Sequence, residues 1–157
     1  MRLTRYTDYA MRVLLYLAAR PQQQCSISEI SRAYGASQSH LMKVVNDLVN
    51  AGYLISARGR FGGIRLARDP QEINVGAVIR HTEEGFELVD CVDCVIAPAC
   101  GLTSALGEAL AAFLGVLDGY SLHDLMGRRH HQMAALLGIP DVADNGTQRP
   151  VEVMLTE

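Results

Sequence analysis

A mainly α-helical fold carrying one small β-hairpin is what this 157-residue sequence predicts, on three observations. Apolar residues recur at three- and four-residue steps through several stretches, the period of amphipathic helices. Strand-like alternation is confined to two short segments, 53–57 and 64–67, that flank a turn rich in glycine and arginine. A composition of 49% hydrophobic and 20% charged residues suits a single domain of ordinary length, or a small domain plus an appendage, with a core to bury.

Each element follows from local chemistry. From Thr4 to Ala19 the positions Tyr6, Ala10, Val13, Leu14 and Leu17 line one helical face, and the helix ends near Pro21. Ser26 followed by Glu29 is a capping box: the hydroxyl accepts a free backbone N–H and the carboxylate reaches back to the cap, which opens a short helix, Ile27 to Tyr34. Gly35 breaks that helix. Ser37 then caps a longer one that runs through Leu41, Val44, Val45, Leu48 and Val49 to Gly52. Tyr53 to Ala57 and Ile64 to Ala67 read as strands around the turn RGRFGG, Arg58 to Gly63. Past Pro70 come a short helix from Asn74 to about Thr82, an acidic link from Glu83 to Asp90 and a group of cysteines.

The next stretch, Leu102 to Leu117, is apolar almost all round, interrupted mainly by Ser104 and Glu108. Such a helix needs cover from its own chain or from the matching helix of a second copy, and a chain this small favours the second copy. From Gly138 onward Pro140, Asp141, Asp144, Asn145, Gly146 and Pro150 predict a loose tail. The expected organisation is a DNA-binding unit over residues 1–70, a connecting helix and cysteine loop over 71–101, a dimerisation helix with a further helical segment over 102–137, and a tail over 138–157. No internal repeat is present.

Two helices that meet at a tight glycine turn form a helix-turn-helix, whose second helix enters the major groove by its N-terminal end. Ser37, Gln38, Ser39, His40 and Lys43 lie there and can hydrogen-bond base edges or phosphates, His40 being the least specific of them. The hairpin is then a wing. Its tip carries Arg58 and Arg60 beside glycines that let backbone approach a phosphate or a narrow minor groove. Charge agrees: the net charge of −3 conceals +6 up to Pro70 and −9 beyond it. A basic half suits a polyanion, so a double-stranded DNA operator is the expected partner of the N-terminal segment.

Cys91, Cys94 and Cys100 form C-x2-C-x5-C, with Cys25 alone elsewhere and read as an inert, partly buried thiol. A cytoplasmic location is expected, because no apolar run approaches the roughly 18 residues of a membrane span. The apolar stretch Val13 to Ala19 is also spoiled as a leader by Asp8 and flanking tyrosines. In that compartment disulfides are disfavoured, and an odd number of thiols leaves one unpaired. Soft metal centres, zinc or an iron-sulfur cluster, are preferred. Three thiols leave a four-coordinate centre one ligand short, and no histidine stands at finger-like spacing, His81 being ten residues upstream, so zinc ranks second. An enzyme is not expected: a thioredoxin-like use of C-x-x-C needs a strand-to-helix junction, and no βαβ unit is legible. His130 and His131 read as polar surface.

The opening MRLTRYTDYAMRVLLYLA, the segment SISEISRAYGASQSHLMKVVNDLVNAGYL, the wing RGRFGGIRLA, and FELVDC with IAPACGL and DLM together resemble the Rrf2 family of bacterial winged-helix regulators. The resemblance covers roughly residues 1–126. It implies a homodimeric repressor in which Cys91, Cys94 and Cys100 hold an iron-sulfur cluster and Asp8 of the other subunit completes it. A four-iron cluster is favoured and a two-iron one is the alternative, because Cys91 and Cys94 stand closer than is usual in the resembled regulators. Nitric oxide is the implied effector, with iron or redox response as the alternative within the family. A zinc-stabilised DNA-binding module is the alternative outside it. From the residues alone, Asp8 is a first-turn carboxylate favoured by the helix dipole.

Overall fold

The computed structural model describes residues 2–21, 23–59, 62–127 and 130–139. Arg60 and residues 140–157 of the tail expected from Gly138 lie outside the described residues, whereas Gly138 and Ile139 are described, and Ile139 is buried rather than loose. The elements are α1 (Arg5–Ala18), α2 (Ile27–Tyr34), α3 (Gln38–Asn50), β1 (Leu54–Ala57), β2 (Gly63–Leu66), α4 (Val75–Thr82), α5 (Leu102–Asp118), α6 (Leu122–Met126) and α7 (His130–Leu136), with a 3-10 turn at Ala97–Ala99. The fold is the mainly helical one with a two-stranded antiparallel hairpin, pairing Leu54 with Leu66 and Ala57 with Gly63.

Helix α1 starts where the Thr4 hydroxyl accepts the Thr7 N–H at 3.2 Å. Its apolar face, Ala10, Val13, Leu14 and Leu17, is almost wholly buried, and the helix packs against α3, α4, α6 and β2. Both halves of the Ser26–Glu29 capping box form, with Glu29 accepting the Ser26 N–H at 2.6 Å and Ser26 accepting the Glu29 N–H at 3.2 Å. These backbone and hydroxyl hydrogen bonds hold the Glu29 carboxyl below its ordinary pKa. Gly35 closes α2 in the left-handed region, φ 60° and ψ 30°, where a side chain is disfavoured. Ser37 occupies the cap position of α3 but makes no capping bond, because its hydroxyl pairs with the Ser39 hydroxyl at 2.9 Å. Leu41, Val44, Val45 and Leu48 bury the inner face of α3.

The root of the wing is pinned by a contact the sequence does not announce. Cys25 and Ile64 exchange both backbone hydrogen bonds, at 3.0 and 2.8 Å, so the α1–α2 connection is bridged to β2 at that one residue pair. A Cβ at Gly63 would press into the Cys25 backbone at 2.9 Å, so glycine is what permits the approach. Cys25 is fully buried, and burial pushes its thiol pKa up, in keeping with an inert core cysteine.

Asn74 caps α4 through Ala77 N–H and also donates to the Asp118 carbonyl at 2.7 Å, joining the start of α4 to the end of α5. Arg80 grips the Asp118 carboxylate with two nitrogens, at 2.5 and 2.7 Å, across a gap where Gly76 leaves no side chain in the way. None of the residues of α5 is buried. Leu106, Leu110, Phe113, Leu114 and Leu117 form a half-covered stripe at helical spacing, while Leu102, Ala105, Ala109, Ala112 and Val116 face open solvent. Beyond it a second capping box, Ser121 with Asp124, opens the short α6. The described chain ends with Ile139 buried and its N–H on the Ala134 carbonyl at 2.9 Å.

Candidate nucleic-acid interface and cysteine segment

Helices α2 and α3 present a helix-turn-helix whose inner faces are apolar, which leaves the N-terminal end of α3 free for polar side chains. Ser37, Gln38, Ser39, His40 and Lys43 are all exposed there. The turn itself is braced by the Ser31 hydroxyl, which donates to the Ala36 carbonyl at 2.6 Å. His40 stacks toward the Tyr9 ring of α1 with 6.3 Å between centroids. On the wing Arg58 is exposed next to Gly59, whose φ of 109° is a glycine conformation. The turn closes with the Gly62 N–H on the Gly59 carbonyl at 2.9 Å, and a Cβ at Gly62 would run into the Ala57 carbonyl oxygen. The other tip arginine, Arg60, lies outside the described residues.

The cysteine segment is an exposed, irregular connection between α4 and α5. Backbone N–H groups of Cys94, Ala97 and Cys100 turn back onto the carbonyls of Cys91, Cys94 and Ala97, a run of tight turns with Pro98 within it. Cys91 and Cys100 are half-buried, Cys94 is exposed, and all three thiols are free. The Cys91 sulfur lies 3.7 Å from the Thr103 hydroxyl at the start of α5. Valines between the thiols stand in solvent, Val92 at 89% and Val95 at 95% exposure. Among the described residues no three His, Cys, Asp or Glu side chains converge as a metal-holding group. The donor set fits a thiophilic centre in its chemistry, three sulfurs on ten residues, while the thiols are not drawn together.

Asp8 lies on the first turn of α1 and is not gathered with the thiols. It pairs with Arg12 one turn on, at 2.9 and 3.0 Å, both side chains being nearly half exposed. Arg2, Thr4, Arg5, Asp8, Met11 and Arg12 line an open cleft there. The sequence reading missed a polar group behind the recognition surface: Asp47 on α3 accepts from the Tyr6 hydroxyl of α1 at 3.0 Å and meets His81 Nε2 of α4 at 3.0 Å. Burial first, and the Asp47 hydrogen bond second, push the Tyr6 pKa up to about 12. The three residues are 41 and 34 positions apart, and no local pattern joins them.

A helix-turn-helix with a glycine-rich hairpin and an exposed polar helix end defines a winged-helix transcriptional regulator. The family model for Rrf2, described as iron-dependent transcriptional regulators, matches residues 3–128, and the chain belongs to that family. The HTH-type transcriptional regulator NsrR of Bacillus subtilis (strain 168) is 49% identical over 142 residues, spanning 87% of this chain and 97% of its own. The NsrR regulator of Geobacillus kaustophilus is 50% identical over 135 residues, spanning 82% and 92%. Among solved structures, CymR, the global cysteine regulator of B. subtilis, matches with a TM-score of 0.68 at 27% identity, over 80% of this chain and 95% of that one. No helix among the described residues is long and apolar enough to cross a membrane.

Proposed function

We propose that this protein is a homodimeric transcriptional repressor that binds an operator through α3 and the wing and releases it in response to nitric oxide. The observation that carries the reading is three free thiols on one exposed segment, joined by α4 to the winged helix and by α5 to an uncovered apolar face. Cys91, Cys94 and Cys100 would hold an iron-sulfur cluster, of four irons in preference to two, and Asp8 of a second copy would supply the remaining ligand. Such a cluster supplies iron that reacts with nitric oxide. An oxygen donor is a hard, weakly held ligand on a soft centre, which leaves one corner more open than the rest. In the single chain that carboxylate is held by Arg12, one turn further along α1.

On the DNA side, Ser37, Gln38, Ser39, His40 and Lys43 face the major groove, and Arg58 and Arg60 reach phosphate or minor groove. A hundredfold change in operator affinity requires about 3 kcal/mol of coupling between the cysteine segment and these side chains, a usual size for allosteric coupling. The test is the visible absorption spectrum of anaerobically purified protein, before and after stepwise addition of nitric oxide. A cluster spectrum that collapses within a few equivalents supports the reading. Colour indifferent to nitric oxide moves it to the iron- or redox-responsive alternative. A colourless protein that cannot be reconstituted with iron and sulfide leaves the zinc-stabilised DNA-binding module.

A further inference from the structure

We propose that Asp47 is a positioning residue for sequence-specific DNA recognition, fastening the recognition helix at one carboxylate oxygen to both α1 and α4. The inference rests on the reading of α3 as the recognition helix. The remaining contacts that seat α3 are mostly apolar: Leu41, Val44, Val45 and Leu48 are fully or almost fully buried. Burial of that kind stabilises strongly but is non-directional, so it tolerates small rotations of a helix in its groove. Hydrogen bonds to a carboxylate are directional and shorter-ranged. Asp47 Oδ2 receives the Tyr6 hydroxyl at 3.0 Å from one side and meets His81 Nε2 at 3.0 Å from another, which fixes the helix against two different neighbours.

The surroundings reinforce the point. His81 tilts against the Tyr53 ring, 6.1 Å between centroids, and the Arg68 guanidinium lies 5.3 Å from the same ring while its Nε donates to the Gly52 carbonyl at 3.1 Å. The C-terminal end of α3 and the root of the wing are therefore braced together. Asp47 stands nine residues beyond Gln38, about 13 Å along the helix axis at 1.5 Å per residue, so a tilt of roughly 5° moves the base-facing end by about 1 Å. Base readout does not survive such a shift, whereas phosphate contacts by long lysine and arginine side chains do. Helix α4 runs directly into the connection that carries the cysteines, so the same carboxylate is where that side of the molecule touches the reading helix.

The experiment uses the full-length protein and two DNA probes: a duplex enriched from a random pool by the unaltered protein, and a shuffled duplex of the same length and composition. Tyr6→Phe, His81→Gln and Asp47→Asn are each expected to weaken binding to the enriched duplex three- to tenfold. Affinity for the shuffled duplex and the salt slope should stay where they are, while the melting temperature falls by no more than a few degrees for the lost hydrogen bond. The Tyr6→Phe/His81→Gln pair is expected to lose less than the product of the two single losses, because both act through one oxygen. Should Asp47→Asn fail to fold, the two partner variants carry the test. Variants that keep the full preference for the enriched duplex, or a pair whose losses simply multiply, overturn the positioning role alone. An unaltered protein that enriches no sequence overturns the recognition-helix reading as well.

Discussion

The two halves of this chain treat their apolar residues in opposite ways. In α1 and α3 nearly every turn delivers a leucine, valine or alanine into a closed core, with Leu14 and Leu48 at 0% exposure. Helix α5 is more apolar than either, yet none of its residues is buried, and Val116 stands at 62% exposure. An exposed apolar surface of that extent on a helix of 17 residues marks an interaction site. The winged half is complete in one copy; the α5 half has the surface of an interface awaiting its other side, as the proposed homodimer requires.

The largest expected effect breaks the complete half. Leu48→Ala leaves a cavity on the buried face of α3 and should cost about 2–5 kcal/mol, read as a lower urea midpoint with unchanged slope. The same truncation at an open position, Val116→Ala, should leave the midpoint of dilute protein nearly unmoved. Next comes the open half: Ala109→Asp with Val116→Asp places charge on the uncovered face and should raise the dimer dissociation constant at least a hundredfold, about 2.8 kcal/mol. Sedimentation should then show a monomer with native helicity. If the doubly charged variant sediments with the parent, α5 is not the dimer seam.

The smallest effect sharpens the comparison inside the complete half. Ser26→Ala removes the cap of α2 and should cost about 1 kcal/mol. Glu29, the other half of that box, has a folded pKa below its unfolded value. Its contribution is therefore fully present above the unfolded pKa and is lost as pH falls through the folded one. Glu29→Gln should lower stability in the neutral region and converge with the parent as the carboxylate is protonated below about pH 4.5, which flattens the acid limb of the stability profile. A variant with the parent's acid limb would show that the capping carboxylate is not among the groups that set it.

What was legible in the sequence follows from how local each signal is. Capping at Ser26, the stop at Gly35 and the three- and four-residue spacing of Leu41, Val44, Val45 and Leu48 act within one or two turns, so the helices of the winged half were readable. The hairpin was readable because its turn chemistry is local as well. The S-x-x-D box that opens α6 was equally local and went unread. Ser37 shows the limit of a local rule, since its hydroxyl has a competing neighbour in Ser39 two residues on. The Cys25–Ile64 bridge and the Tyr6–Asp47–His81 group join residues tens of positions apart and leave no periodic trace. At the cysteines the sequence showed three closely spaced thiols, and the described residues do not gather them into one metal-holding group.

The paired grip of Arg80 on Asp118 has a mechanical side. Guanidinium and carboxylate are flat, and two parallel bonds between flat groups resist twisting as well as separation. Together with Asn74 on the Asp118 carbonyl, the grip makes the base of α5 a clamped joint rather than a swivel. In a pair of chains joined along α5, the angle at which each reading head leaves the shared mast is then set at the clamp. In the proposed dimer on a two-fold operator, the distance between half-sites would then be a dimension set by Asn74, Arg80 and Asp118.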